Sequence, residues 1–91
     1  MAISVRDDGA LHLQGDLHIS DVEELRTVLI GRLETASELV LDLSGVDRCD
    51  TASLQLLCSV KKSAERDRKQ LCISSLSPVV REVCTMIGLP L

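Results

Sequence analysis

The sequence predicts an α/β fold: a mixed four-stranded β-sheet with helices packed largely on one side, in the order β-β-α-β-α-β-α. Three observations carry that prediction. Apolar and polar residues alternate with period two at the start of the chain. Three stripes of period 3.6 follow, each opened by a residue that can cap a helix, and short apolar runs separate them. At 91 residues the length suits one domain, spanning 1–91, with a modest core.

Each element has its own signal. "ISVRD" alternates through Ile3 and Val5, "DDG" at 7–9 is a turn signal, and "ALHLQG" alternates through Leu11 and Leu13, which together read as a hairpin. Ser20 with Glu23 forms a Ser-x-x-Glu capping box, predicting a helix from Ser20 to about Thr35–Ser37. Its buried stripe is Val22, Leu25, Val28, Leu29 and Leu33. "ELVLDLSGV" at 38–46 is apolar enough on both sides to be a central strand, with Ser44–Gly45 as the turn that follows. Asp50 then caps a helix on which Leu54, Leu57, Cys58 and Lys61 share a face that Ala64 continues, with Lys61 and Lys62 as its polar edge, and which ends in the charged "ERDRKQ". "LCISS" at 71–75 reads as a short buried strand. Ser77, Pro78 and the spacing of Val80, Val83, Cys84 and Ile87 predict a last helix closed by Gly88.

Composition narrows the function classes. The chain has no aromatic residue, so it lacks the stacking platforms that grip single-stranded nucleic acid or sugars. A net charge of -4 argues against a phosphate-backbone binder and suits a chain that meets protein partners. The first sixteen residues carry charge early and hold no long apolar run, so they read as neither a signal peptide nor a membrane span; a cytoplasmic location is the expectation. Cys49, Cys58, Cys72 and Cys84 are widely spaced and far from His12 and His18, which favours reduced structural thiols over a metal centre or disulfides. Asp42, Asp47 and Asp50 straddle a strand and a loop, which suits solvated or capping roles better than a metal site. No cofactor is expected: Ser44–Gly45 lacks the further glycines of a phosphate-cradling loop, and no nucleophile and base lie close together in sequence.

"DRCDTASLQLL" at 47–57 is the stretch with chemical potential. With Asp50 as cap, Thr51 becomes the first helical residue, and its hydroxyl projects from the positive end of the helix dipole. A phosphoryl group there would add roughly -2 charge and three acceptors beside unpaired backbone amides. Local physics alone also explains Asp, Thr and Ser at a helix start through capping.

The wider arrangement adds to this. "LVLDLSGVDRCDTASLQLL" resembles the central signature of the STAS family, in which a strand ending in Asp-Leu-Ser leads through a short loop to Asp-Ser/Thr-x-Gly-Leu. "LHLQGDLHISDVEEL" looks like the family's second strand, Gly-acidic-Leu loop and first helix; "LCISSLSPVVREVCTMIGL" looks like its last strand and helix. The resemblance covers nearly the whole chain and implies a STAS-like sheet. It also implies a switch of the anti-sigma factor antagonist type, not an enzyme. In such proteins the hydroxyl residue after the Asp is phosphorylated by a partner serine/threonine kinase that is also the anti-sigma factor. That position is Thr51 here, and Asp50 matches the acidic residue before it. The implied contact surface comprises Gly15, Asp16, His18, Ser44, Asp50, Thr51, Ala52, Ser53 and Gln55.

Two positions depart from the family pattern. Ser53 stands where Gly is usual, adding a side chain where a partner backbone would approach. His18 stands where Asp is usual, and caps or faces solvent. The "Asp-Thr-Ala" spelling is also similar to a second branch: small STAS subunits that bind the ATPase of phospholipid-transport ABC complexes, and stand-alone domains of signalling clusters, chemotaxis ones included. There Thr51 would touch its partner and need not be phosphorylated.

Overall fold

The computed structural model describes residues 1–89 and Leu91. Its elements run β1 (Ala2–Val5), β2 (Leu11–Leu17), α1 (Ile19–Thr35), β3 (Glu38–Cys49), α2 (Thr51–Arg66), β4 (Gln70–Leu76) and α3 (Pro78–Ile87). The order is the one the residue patterns predict. The four strands form one sheet in sequence order; β1 pairs antiparallel with β2, whereas β2–β3 and β3–β4 are parallel. Each parallel step needs a crossover, and α1 and α2 supply them.

Leu11, Leu13, Leu39, Leu41 and Leu43 from the strands share one core with Val22, Leu25, Leu29 and Leu33 of α1, Leu54, Leu57 and Val60 of α2, and Val80 and Cys84 of α3. One face of the sheet therefore meets the helices. Without a single aromatic ring, volume is filled by leucine, and ten of the twelve largest fully buried side chains are Leu.

Four expectations are corrected. The first helix starts at Ile19, not Ser20. Its N-cap is His18, whose backbone N–H donates to Asp21 Oδ2 at 2.9 Å, while Ser20 lies inside the first turn. The box has thus slipped two residues, because Asp21 rather than Glu23 reaches the free amide. Ser44–Gly45 is not a turn: β3 continues to Cys49. The register explains why: His12 pairs with Asp42 but Gln14 with Gly45, so β3 carries an extra residue there. The buried position moves from Leu43 to Val46, across the break in period two. The segment at 71–75 belongs to an edge strand, and Leu71 is its one buried residue. Asp42 is neither solvated nor a helix cap, being only 5% exposed.

Glycine is required at the bulge. A Cβ on Gly45 would lie 2.7 Å from the Leu13 carbonyl oxygen, 2.8 Å from Gln14 Cγ and 3.0 Å from His12 Nε2. Asp42 lies on the sheet surface away from the helices. Its Oδ2 accepts from Arg6 at 2.9 Å and sits 3.3 Å from His12 Nδ1, and its Oδ1 accepts the Ser44 amide at 2.9 Å.

Candidate functional site

The two crossovers bring two helix N-termini to one end of the sheet. β2 and β3 run parallel and finish side by side, with Asp16 opposite Arg48 and Leu17 opposite Cys49. Only His18 separates β2 from α1, and only Asp50 separates β3 from α2. Both connecting residues are helix N-caps, so they are held at the same rim. Gly15 contributes a bend. It adopts φ +89° beside the second register shift of β2, a conformation that a side chain would strain.

The rim is charged and open. His18 Nδ1 lies 4.0 Å from Asp50 Oδ2, and His18 Nε2 lies 3.9 Å from Asp16 Oδ2, with all three side chains about half exposed. Pairs of that length and exposure contribute little to stability. Asp50 is more firmly held. Its Oδ1 accepts the Ser53 amide at 2.7 Å, and that bond keeps its carboxyl below the ordinary range, with His18 adding to the effect.

Thr51, Ala52 and Gln55 are exposed, and Gln55 follows Thr51 by about one helical turn on the same side. Ser53 behaves differently. It is fully buried, and its hydroxyl donates to the Asp50 carbonyl at 2.8 Å. The residue that replaces the family glycine therefore braces the first turn and adds no bulk to the surface. Ser44 is exposed but stands apart from the rim, five residues before the end of β3, with its amide tied to Asp42. The rim thus gathers Gly15, Asp16, His18, Asp50, Thr51, Ala52 and Gln55, and it leaves out the Ser53 side chain and Ser44.

The polar trio Arg6, His12 and Asp42 escaped the sequence reading. Its signal was present: a carboxylate between two leucines in a strand, opposite a histidine in the neighbouring strand. All four cysteines are free, and burial pushes the Cys49 and Cys84 thiols up, away from reactivity. Among the described residues, no three of His, Cys, Asp and Glu gather to hold a metal ion.

A family model described as "Mlab, STAS domain" matches residues 3–90, nearly the whole chain. The chain belongs to the STAS family. Its fold is shared with the anti-sigma factor antagonist SpoIIAA in its unphosphorylated form, at TM-score 0.75 and 18% identity over 97% of this chain and 82% of that one. A crystal structure of Mglu contains a similar unit, at TM-score 0.69 and 22% identity over 86% of this chain, which spans 20% of that protein. At these identities the likeness to both structures is one of fold. Among the described residues, no helix is long and apolar enough to cross a membrane.

Proposed function

We propose that this STAS domain is a cytoplasmic, bacterial protein-interaction switch of the anti-sigma factor antagonist type, binding a partner serine/threonine kinase and regulated by phosphorylation at Thr51. The observation that carries the reading is the placement of Thr51. It is exposed at the first position of α2, beside the N-cap Asp50, on a rim where two helices begin.

The mechanism is differential binding. Unmodified, the stretch Thr51–Ala52 offers small side chains that a partner can cover at little desolvation cost. A phosphoryl group would add about -1.5 to -2 charge between Asp50 and the partner. Asp16, Asp47 and Asp50 already make this end acidic, and His18 and Arg48 supply limited compensation. Burying the phosphate without a paired cation would cost several kcal/mol, enough to end binding. The cap bond that the Ser53 amide donates to Asp50 Oδ1 does not involve the Thr51 hydroxyl, so the helix survives modification.

Incubation with ATP and a candidate kinase, followed by mapping of the phosphate by mass spectrometry, tests the reading. Label on Thr51, lost in Thr51→Val, is the expected outcome. Absence of label with a cognate kinase, together with unchanged partner binding by Thr51→Glu, would refute it. The exposed Thr51–Ala52 pair also fits the second branch, in which the same surface binds an ABC transport ATPase constitutively. Co-purification of such an ATPase, with binding lost in Thr51→Glu and no phosphate on the wild type, would favour that reading.

A further inference from the structure

The chain carries a net charge of -4, but its cations are not evenly spread. "KKSAERDRK" at 61–69 holds Lys61, Lys62, Arg66, Arg68 and Lys69, five of the ten Lys and Arg residues. Two of them, Lys62 and Arg66, line a cleft of about 250 Å3 together with Ser59 and Ser63 and, from the end of the chain, Leu89. Every ion pair among the described residues is made by Arg6, His12 or His18, so both cations face the cleft without a carboxylate partner. Their i, i+4 spacing places like charges together, which costs the helix a few tenths of a kcal/mol. The helix dipole favours cations near this terminus. It does not account for their sharing a concave site.

The cleft also continues the face that carries Thr51. At ~100° per residue, Thr51, Gln55, Ser59, Lys62 and Arg66 fall within about 80° of one another on α2. The rise from Thr51 to Lys62 is about 16 Å, which an extended segment of about five residues spans. The two ends of the stripe differ in sign: Asp50 flanks one, Lys62 and Arg66 form the other.

We infer that the cleft formed by Ser59, Lys62, Ser63, Arg66 and Leu89 is a docking site for a short acidic segment of a protein partner, which lies along α2 toward Thr51. This rests on reading the domain as a protein-interaction module, and it is independent of whether Thr51 is phosphorylated. Charge complementarity selects the occupant. Two cations beside hydroxyl donors suit one or two carboxylates, and Leu89 adds an apolar contact to the lining. An extended polyanion is disfavoured, because Glu65 and Asp67 flank the cations and no aromatic side chain exists to stack a base.

The test is titration of the 15N-labelled chain with a blocked Gly-Glu-Glu-Leu-Glu-Gly peptide, followed by amide shifts. Shifts confined to residues 55–66 and Leu89, with at least ~10-fold weaker binding for Lys62→Glu/Arg66→Glu and in 0.5 M salt, are expected. Lys62→Gln/Arg66→Gln provides the same comparison with less disturbance, and circular dichroism confirms that both variants fold. The titration uses the unphosphorylated chain, which separates this site from the fate of the phosphorylation switch, and Arg32→Gln, at a cation outside the cleft, should bind the peptide unchanged. Shifts spread over all basic residues, or unaltered by either double variant, would overturn the inference. So would equal binding of sodium phosphate, or shifts produced by protein concentration alone, which would make a second copy the occupant.

Discussion

Asp42 offers a measurement in which charge, burial and pH are separable. It is the one buried carboxylate among the described residues, and its pKa is lowered from 3.8 to about 2. The Ser44 amide is the main cause and the Ser44 hydroxyl the next, with His12 adding to them against the opposing effect of burial. A carboxylate depressed on folding contributes stability that is fully present above its unfolded value and is lost as pH falls through the folded one. The gap corresponds to about 2 kcal/mol, lost between roughly pH 5 and pH 2. A measured value of about 1–2 kcal/mol, on the order of the full gap or below, is expected.

Asp42→Asn is the informative perturbation. The amide oxygen retains the bond from Ser44, but the amide nitrogen must replace Oδ2 and aim its hydrogens at the guanidinium of Arg6, donor against donor. Urea unfolding followed by far-ultraviolet circular dichroism is the assay, since the chain has no aromatic fluorophore. At pH 7 the variant should be less stable by about 2 kcal/mol, and the gap should close as pH approaches 2. A gap of the same size at pH 7 and pH 3 would refute the argument, because ionisation of Asp42 would then play no part in it.

Other substitutions probe the site's scaffold by the same unfolding assay. Gly45→Ala should cost about 1–3 kcal/mol, because its Cβ would fall 2.7 Å from a carbonyl oxygen that cannot swing aside. Asp50→Ala should cost about 1 kcal/mol through loss of the cap on Ser53, whereas Asp50→Asn should cost less. Ser53→Gly restores the family residue yet should destabilise by about 1 kcal/mol, through loss of the bond to the Asp50 carbonyl and a freer unfolded chain. Arg68→Gly should stabilise by about 1 kcal/mol, because Arg68 adopts φ +58° after α2 while the Lys69 amide closes back on the Ala64 carbonyl.

The elements with a strong local code were legible in the sequence. Ser77 and Pro78 start α3 as their types demand, and Gly88 ends it in the left-handed conformation at φ +72°. Asp50 caps α2, and the leucines of α1 and α2 face the core. Features set by pairing between strands were less legible. Whether β3 stops at Val46 or runs to Cys49 depends on β2 accepting an extra residue opposite Gln14, which no window along β3 reveals. The Ser20–Glu23 box looked sound locally, yet β2 extends to Leu17 and delivers the chain into the helix earlier. The same limit applied to the site: Asp50 and Thr51 could be placed from their own neighbours, but the burial of Ser53 could not. Local spacing reports what a residue can do, and the sheet decides which way it points.

The buried Ser53 changes how modification of Thr51 would act. Asp50 already occupies the Ser53 amide, and its carbonyl takes the Leu54 amide, so the donors left at the start of α2 are those of Thr51 and Ala52. A phosphoryl group on Thr51 could engage these amides only beside the Asp50 carboxylate, which the short bond from Ser53 holds in place. The group would then gain little shelter from the helix and would direct its charge outward. Substituting Asp50 with Ala would free the Ser53 amide and permit a more inward phosphate. An Asp50→Ala protein should therefore show a smaller effect of Thr51 phosphorylation on partner binding than the wild type. An equal or larger effect, measured on matched phosphorylated samples, would mean that the Asp50 cap does not orient the charge.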